Sequence, residues 1–419
     1  MLHSISNTIN NNDFRQKDNK YDMRGYLFLK NGFVPGEVLF ENGTITEVNE
    51  LPETALDTEE RDNYVIPGLI DIHLHGCVGV DFCDCVDDEY GDAASMIERM
   101  VTYERSVGVT SICPTTMTYD EKRLTAIMRS VASYRKNHVT ENDVPENTVT
   151  ENAAPNHFGI VGVHLEGPFI SEEKCGAQNP GYIMAPDAAM IRRLDDASGG
   201  LVRLVAIAPE TDGAIECIRA LSSTDVLSAA KSKIQCSVAH TTADYDTALA
   251  AINAGATHVT HLYNAMPEFS KRNPGVVGAA FDNEDTYVEL ICDGIHVHPS
   301  VIRATFKMFG SDRVVLISDS MEATGMPDGE YALGGQKVIK RGRTATLPDG
   351  TIAGSVTNLF ECMKMAVQMG VSAEDAIKAA TVNPAKSIGL SNTIGEIAAG
   401  KKAHLLVCDG NLNLREVIC

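Results

Sequence analysis

The chain has 419 residues, of which 44% are hydrophobic and 22% charged. This composition is typical of a soluble globular protein, and the length favours one large domain with a smaller one. A formal net charge of −22 argues against nucleic acid as a partner, although a local cationic cluster could still hold a small anion. No apolar run approaches the roughly 20 residues of a membrane span, so we expect no membrane partner.

Residues 1–22 are Asn-rich and polar, and they contain no apolar segment of the kind found in secretory signals. We therefore predict a disordered leader. The eleven cysteines are scattered without CxxC spacing, and the closest group, Cys77, Cys83 and Cys85, lacks a second ligand pair for a zinc knuckle. Free thiols in a reducing compartment are expected, which indicates a cytoplasmic protein.

Short alternating segments with glycine turns occur at both ends of the chain. Residues 25–48 have the pattern of a β-meander, and the run IGEIAAGKKAHLLVCDG near the C-terminus is similar. We predict that residues 23–65 and 382–419 combine into one small β-domain.

Residues 66–381 alternate between strand and helix patterns. The predicted strands are 64–73, 109–115, 159–165, 201–208, 234–239, 257–262, 287–293 and 313–318. Eight such repeats predict a (β/α)8 TIM barrel. An open doubly wound sheet is the alternative, but it would need a glycine-rich phosphate loop after the first strand, and none is present. The polar segment 137–157 is predicted to be an exposed loop insertion, and 334–353 a hairpin.

The first barrel strand ends in Asp71-Ile72-His73-Leu74-His75. Side chains two residues apart in a strand share a face, so His73 and His75 could bind one metal ion. The third strand, VGVHLEGPF, ends with Glu166 beside a Gly-Pro turn. An unpaired carboxylate at the edge of an apolar strand is costly to bury, and either a metal ion or an arginine would offset that cost.

The stretch from Ile234 to Met266 has the pattern strand, helix, strand, with His240 after the first strand and His261 at the second. In a parallel β/α arrangement both imidazoles reach the same carboxyl edge, where such folds place their chemistry. Two neutral imidazoles are good ligands for a divalent metal, although either histidine alone could simply hydrogen-bond to backbone.

Three further residues follow in the C-terminal part of the barrel. Arg272 lies in a loop where it could bind an anionic group or remain solvated, and His296 follows the seventh strand in the run Asp-Gly-Ile-His. Asp319 lies just past the apolar part of the eighth strand. It could exchange a proton with a metal-activated water, or it could be a turn residue.

Several runs, taken in this order, resemble the N-acetylglucosamine-6-phosphate deacetylase family of the amidohydrolase superfamily. They are PGLIDIHLHG, GVTSICPTTMT, GVHLEGPFIS with CGAQNP, VAHTTADYDTALAAINAGATHVTHLYNAM, DGIHVHP, LISDSMEATGMPDGEY and DGTIAGS. The resemblance extends from about Met23 to Leu406. It implies a (β/α)8 barrel with a small β-sandwich domain built from both chain ends, and hydrolysis of the N-acetyl group of N-acetylglucosamine 6-phosphate.

The resemblance also implies roles for individual residues. Glu166, His240 and His261 would bind the essential metal, and Asp319 would be the general acid/base. The substrate contacts would be Ala177 (through its backbone), Gln178, Asn264, Ala265 and His296. Arg272 would reach the phosphate of the neighbouring subunit's substrate, which implies a homodimer.

The chain retains His73 and His75, which some family members replace, so a second metal ion bridged by Glu166 is expected. Gln178 stands where many members have a histidine; it can bond a sugar hydroxyl but cannot become cationic. Zinc, iron, manganese and cobalt all suit such ligands, and neither the metal nor the number of ions, one or two, follows from the sequence.

Three alternatives remain open at this stage. One is a cyclic-amide hydrolase of the dihydroorotase kind, although that branch bridges two metals with a lysine where this chain has Glu166. Another is a deacetylase for the galactosamine isomer. The third is a non-enzymatic scaffold on the same barrel, although none of the expected ligands is missing.

Overall fold

The computed structural model describes residues 21–30, 32–87, 91–137, 159–223 and 233–419. The leader predicted for residues 1–22 and the loop insertion predicted for 137–157 lie outside the described residues except at their edges. No helix in the described ranges is both long and apolar enough to cross a membrane. The chain divides into two compact units, one formed by residues up to Gly68 with Ser391–Cys419, the other by Leu69–Leu390.

The strands are β1 Tyr21–Leu29, β2 Gly32–Glu41, β3 Thr44–Glu50, β4 Tyr64–Pro67, β5 Leu69–Leu74, β6 Gly76–Cys77, β7 Val80–Asp81, β8 Val109–Thr116, β9 Gly159–Ile160, β10 Val163–Phe169, β11 Val202–Ile207, β12 Gln235–Val238, β13 Ala256–Val259, β14 Tyr287–Ile291, β15 Val314–Ile317, β16 Gly329–Leu333, β17 Gln336–Arg341, β18 Thr344–Thr346, β19 Leu405–Cys408 and β20 Leu414–Ile418. The α-helices are α1 Ala93–Ser106, α2 Glu121–Asn137, α3 Ala188–Ser198, α4 Ala214–Ser222, α5 Tyr245–Ala254, α6 Gly275–Asp282, α7 Pro299–Phe309, α8 Leu359–Gln368, α9 Ala373–Ala380 and α10 Val382–Ser387.

The smaller unit is a β-domain made from both ends of the chain, as predicted. Its six strands pair in the order β20-β19-β4-β1-β2-β3. The long β1–β2 pair is antiparallel, whereas β1 and β4 run parallel. Leu27, Val38, Ile45, Val65 and Leu405 form part of its buried apolar core. Burial of these side chains is what holds the two chain ends together.

The larger unit is the predicted parallel barrel. Its eight strands pair in the order β15-β14-β13-β12-β11-β10-β8-β5. Backbone hydrogen bonds link the carboxyl end of the first strand, β5, to the residues that follow the last strand, β15. Asp319 N–H donates to His73 O (2.9 Å), and His75 N–H donates to Ser320 O (2.7 Å). The barrel fold is therefore confirmed, and the predicted ligand residues all lie at one end of the ring.

The stretch that carries two of the predicted ligands forms as its sequence indicates. β12 leads into α5, whose N-terminus is capped by Asp244 accepting a hydrogen bond from Thr247 N–H (2.9 Å). Gly255 follows the helix at φ 120°, which suits a residue without Cβ. β13 then pairs parallel to β12.

Some predicted boundaries were wrong. The strand predicted at 64–73 is two strands: Tyr64–Pro67 pairs within the small β-domain, and Leu69–Leu74 opens the barrel. Apolar residues flank Gly68 on both sides, so the hydrophobicity pattern does not reveal the break. Pro67 has no N–H and cannot extend the ladder. The hairpin predicted at 334–353 is a three-stranded sheet, β16 to β18. Helix α6, GVVGAAFD, was missed because Gly and Val are weak helix formers.

Candidate metal centre

Six ionisable side chains converge at the carboxyl end of the barrel strands. They are His73, His75, Glu166, His240, His261 and Asp319, and none is more than 8% exposed. Each lies in or within two residues of the end of a barrel strand, because parallel strands deliver their carboxyl ends to a common edge. The predicted ligands from five separate strands are thus brought together.

Three of these residues have unusual backbone conformations. His240, His261 and Asp319 have φ angles of 43°, 30° and 49°, in the left-handed region that residues with a Cβ rarely adopt. Each such residue costs on the order of 1–3 kcal/mol, and this strain clusters at functional sites. Each is the second residue after the end of its strand, β12, β13 or β15, where the chain turns out of the barrel.

The first group consists of Glu166, His240 and His261. Glu166 Oε1 lies 3.2 Å from His240 Nε2 and 3.0 Å from His261 Nε2, and the two Nε2 atoms are 3.1 Å apart. His240 Nδ1 lies 2.8 Å from Lys174 O, so Nδ1 carries the proton and Nε2 presents its lone pair. Two imidazole lone pairs and a carboxylate oxygen at one point are the ligand set of a divalent metal.

The second group consists of His73, His75 and Asp319. Asp319 Oδ1 lies 3.5 Å from His73 Nε2 and 3.3 Å from His75 Nε2. The ligating atoms of each group lie within 4.8 Å of one another. Glu166 reaches both groups, since its Oε1 is 3.4 Å from His73 Nε2 and its Oε2 is 3.2 Å from His75 Nε2. Glu166 therefore lies between two adjacent groups of potential metal ligands.

The local charges perturb the ionisation of these groups. Burial would lower the pKa of His75, but hydrogen bonds with Asp319 and Glu166 raise it to about 9. The pKa of His73 is raised for the same kind of reason, by the carboxylates of Glu166 and Asp319. Burial opposes the charge of Glu166, yet the surrounding histidines, His73 first, hold its pKa well below the usual range. The negative charge of the two carboxylates, which lie among four histidines, would balance the positive charge of a bound metal ion.

A cavity of about 410 Å³ opens onto the centre. Its wall includes His75, Glu166, His240, His261 and Asp319 together with most residues predicted to contact substrate, namely Ala177, Gln178, Asn264, Ala265 and His296. Lys174, Met117, Leu333 and Ile352 also line it. A cavity of this size suits a small-molecule substrate.

Gln178 is oriented by two hydrogen bonds. Its Oε1 accepts from Thr118 N–H (2.7 Å), which leaves Nε2 to donate to Glu166 Oε2 (2.6 Å). The side chain therefore holds the carboxylate that joins the two groups. Its predicted contact with a sugar hydroxyl stays a prediction.

The other predicted substrate residues have distinct local partners. His296 Nδ1 lies 2.8 Å from Asp293 Oδ2, and this bond outweighs the effect of burial and raises the pKa of His296. Asn264 Nδ2 donates to His261 O (3.2 Å). Ala265, at φ 51°, accepts from Thr241 N–H. Ala177 O accepts a hydrogen bond from Gln336.

Arg272 does not line this cavity. Arg272 is exposed, and it lines a separate pocket together with Thr242, Asp244, Tyr245 and Pro267. Within one chain the structure therefore does not bring Arg272 to the other predicted site residues.

Sequence reasoning missed the residues that orient the ligands. Glu289 Oε2 lies 3.2 Å from His73 Nδ1, and His75 Nδ1 lies 3.2 Å from Thr115 O. Asp293 and the Lys174 carbonyl orient His296 and His240 in the same way. One signal was available: Glu289 is a lone charge inside the apolar strand YVELI. The others act through backbone or local turns, which carry no sequence signal.

The chain is similar to known proteins over nearly its whole length. The amidohydrolase family model matches residues 64–418. The N-acetylglucosamine-6-phosphate deacetylase of Bacillus subtilis (strain 168) is 34% identical, over 93% of this chain and 92% of that protein. The N-acetylgalactosamine-6-phosphate deacetylase of Escherichia coli O157:H7 is 30% identical, over 90% and 91%.

Among solved structures, one of a mutant N-acetyl-D-glucosamine-6-phosphate deacetylase from Mycobacterium smegmatis, in complex with N-acetyl-D-glucosamine-6-phosphate, is 32% identical to this chain. The two share a TM-score of 0.81, with 95% of this chain and 97% of that one covered. The Thermotoga maritima N-acetylglucosamine-6-phosphate deacetylase is 27% identical with a TM-score of 0.78, over 92% and 94%.

Proposed function

The chain belongs to the amidohydrolase family, in its N-acetylglucosamine-6-phosphate deacetylase branch, and we propose that it hydrolyses N-acetyl-D-glucosamine 6-phosphate to D-glucosamine 6-phosphate and acetate. The observation that carries the proposal is the buried group Glu166, His240 and His261, which shares one cavity with Asp319. This arrangement provides a metal site and an acid/base at the wall of one small-molecule pocket.

The family is metal-dependent, and the donor set fits that requirement. Glu166, His240 and His261 would hold one ion, and His73, His75 and Asp319 would hold a second with Glu166 between them. Zn²⁺ is the ion we propose, because histidine and carboxylate ligands suit it; Fe²⁺, Mn²⁺ and Co²⁺ suit them as well. A bound divalent ion lowers the pKa of a water molecule and polarises the acetamide carbonyl.

Asp319 is the proposed general base and then general acid. Burial opposes its ionisation, but His73 and His75 hold its pKa below the usual value, so the carboxylate is charged and ready to accept a proton. It would take the proton of the attacking water and pass it to the departing amine, which is too basic to leave unprotonated. Its position beside His73 Nε2 and His75 Nε2 supports this role.

His296 is proposed to stabilise the charge that develops on the carbonyl oxygen. Asp293 accepts a hydrogen bond from its Nδ1, and the raised pKa of His296 favours the form in which Nε2 also carries a proton. A donor fixed in advance stabilises an oxyanion without reorganisation. His296 lines the same cavity as Asp319.

The substrate is proposed to be a phosphorylated amino sugar, since the similar Mycobacterium smegmatis protein has been solved with one. Its phosphate would supply binding energy away from the reacting bond and orient the sugar. Arg272 lies outside the cavity of its own chain, so we propose a homodimer in which it reaches the partner's substrate. The reaction would take place in the cytoplasm, in keeping with buried cysteine thiols such as Cys77, Cys83 and Cys113.

The galactosamine isomer is the second candidate substrate, because a deacetylase for N-acetylgalactosamine 6-phosphate is 30% identical to this chain. The two sugars differ at one hydroxyl, and a cavity that hydrogen-bonds the correct hydroxyl leaves a polar group unpaired with the other isomer.

Acetate release by the purified protein tests both candidates. N-acetylglucosamine 6-phosphate is expected to have the highest kcat/KM, the 4-epimeric phosphate a lower one, and unphosphorylated N-acetylglucosamine the lowest. A preference for the galactosamine isomer would reassign the substrate within the branch. No release from any of the three, by protein with its full complement of metal, would contradict the proposed reaction.

A further inference from the structure

We propose that Glu289 is a positioning residue for the second metal site, acting through His73. Glu289 Oε2 lies 3.2 Å from His73 Nδ1, on the side of the ring opposite Nε2. That Nε2 atom lies 3.4 Å from Glu166 Oε1 and 3.5 Å from Asp319 Oδ1. The imidazole of His73 therefore contacts the Glu289 carboxylate through Nδ1 and faces the ligand cluster with Nε2.

The placement of Glu289 is costly and needs an explanation. Its side chain is fully buried, in the middle of β14 with Val288 and Leu290 as neighbours. Its second oxygen, Oε1, has no hydrogen-bond partner among the described residues. A carboxylate that served packing alone would be more stable as an apolar residue of similar size. The bond with His73 is the one side-chain hydrogen bond of Glu289 among the described residues, so the proposed role of Glu289 acts through it.

That contact fixes the tautomer of His73. A carboxylate accepts hydrogen bonds and donates none, so Nδ1 must carry a proton to bond with Glu289. In the neutral ring Nε2 is then left with its lone pair directed at the ligand cluster, which is the form required of a metal ligand. Metal-binding histidines commonly donate their other N–H to a carboxylate in this way.

The ring is also fixed against rotation. His164 packs edge-on against His73, with ring centroids 4.6 Å apart, and it is fully buried. Neither ring nitrogen of His164 has a hydrogen-bond partner among the described residues, so it does not compete for Glu289 Oε2. The hydrogen bond to Glu289 and the ring contact with His164 together hold the His73 ring in place before any ion binds.

The inference deepens the proposed function, on which it rests for the second ion, but its test requires no substrate. The test is Glu289→Leu in the full-length protein, with Glu289→Gln as the conservative variant and Glu104→Leu as the control. Glu104 is another buried carboxyl group, on α1, and its neighbours are Asp71 and Cys77 rather than any of the six predicted ligands. Zinc content and zinc affinity would be measured by equilibrium dialysis, with folding checked by circular dichroism.

The wild type and Glu104→Leu are expected to bind two zinc ions per chain. In Glu289→Leu the weaker ion should lose about 10- to 100-fold in affinity while the other is retained. Glu289→Gln should lose less, because its amide oxygen can still accept from Nδ1–H. Two ions at wild-type affinity in Glu289→Leu would overturn the proposal. So would a wild type that binds only one ion.

A second measurement, made on the wild type, tests the proposal even if Glu289→Leu does not fold. In zinc-loaded protein labelled with ¹⁵N-histidine, His73 is expected to show a protonated Nδ1 and a zinc-bound Nε2, with the signals assigned by their loss in His73→Gln. An Nε2-protonated His73, free of zinc, would contradict the proposal whether or not the protein deacetylates any sugar.

Discussion

His240, His261 and Asp319 show at the scale of single residues how this centre is built. Each adopts a left-handed backbone conformation two residues past the end of a barrel strand, and each presents an atom to one of the two adjacent ligand groups. Strained residues cluster at functional sites, so these conformations support a functional role for the three side chains.

Asp319→Asn tests the proposed acid/base directly. An amide keeps the shape of the side chain but cannot take a proton from water, so kcat should fall by about 10²- to 10⁴-fold. The ion held by Glu166, His240 and His261 and the affinity for N-acetylglucosamine 6-phosphate should be retained. Turnover would be measured by acetate release and affinity by calorimetry. Activity close to that of the wild type would remove Asp319 from the mechanism.

The raised pKa values at the histidines predict how metal uptake depends on pH. In the metal-free protein His75, with a pKa of about 9, is protonated at pH 7, and the pKa of His73 is raised as well. A metal ion binds only the deprotonated ring, so it must displace these protons. Metal affinity should therefore rise as the pH rises towards about 9 and fall as it is lowered.

Calorimetric zinc titrations at pH 7 in buffers of different ionisation enthalpy would measure the protons released. The observed heat should vary with the buffer in the direction of net proton release to it. Heats that are independent of the buffer would mean that the histidines are already neutral in the metal-free site.

At the scale of elements, the end of β10 shows how a turn fixes a ligand. Gly167 directly follows Glu166 at φ 98°, and a Cβ there would lie 2.1 Å from Thr118 Oγ1. Thr118 in turn donates from its hydroxyl to Glu166 O and from its N–H to Gln178. The close approach of this segment to Thr118 holds both the ligand and the amide that orients it.

Gly167→Ala should therefore disturb the metal centre as well as stability. Gly199→Ala is the matched control, since Gly199 also has a positive φ, 73°, but nothing lies within 4 Å of its Cβ position. The control should lose about 1–2 kcal/mol of unfolding free energy and keep its metal. Gly167→Ala should lose more stability and bind metal more weakly, as measured by thermal unfolding and zinc affinity. Equal effects in the two variants would show that the contact with Thr118 is unimportant.

The sequence determines some of this architecture and not the rest. The predicted ligands could be found because each follows an apolar segment, and parallel strands bring such residues to one edge. The break at Gly68 could not be found, because apolar residues of Tyr64–Pro67 and Leu69–Leu74 flank it on both sides. The pairing of Glu289 with His73 could not be predicted either, because it joins strands that are distant in the sequence and depends on how the barrel closes.

At the scale of the whole molecule, the proposed dimer predicts complementation between two defective subunits. Arg272→Ala should impair use of the phosphorylated substrate, and Asp319→Asn should abolish turnover. A mixed dimer would contain one site with an intact Asp319 and, from the other subunit, an intact Arg272. Random mixing of equal amounts should then restore about a quarter of the wild-type sites.

The experiment requires co-expression of the two variants, because subunits that do not exchange cannot complement. Activity of the mixture would be compared with that of each variant alone. Activity no greater than the average of the two variants would mean that Arg272 acts within its own chain or not at all, and the dimer with shared sites would have to be abandoned.

The most direct test of the account is acetate release from N-acetylglucosamine 6-phosphate as a function of metal content in one preparation. Activity should disappear when a chelator strips the protein and return as zinc is added back. It should first rise with the ion held by Glu166, His240 and His261, and a Glu166→Gln variant should not recover it. Undiminished activity in protein shown to be free of metal, or full recovery in Glu166→Gln, would contradict the proposed centre.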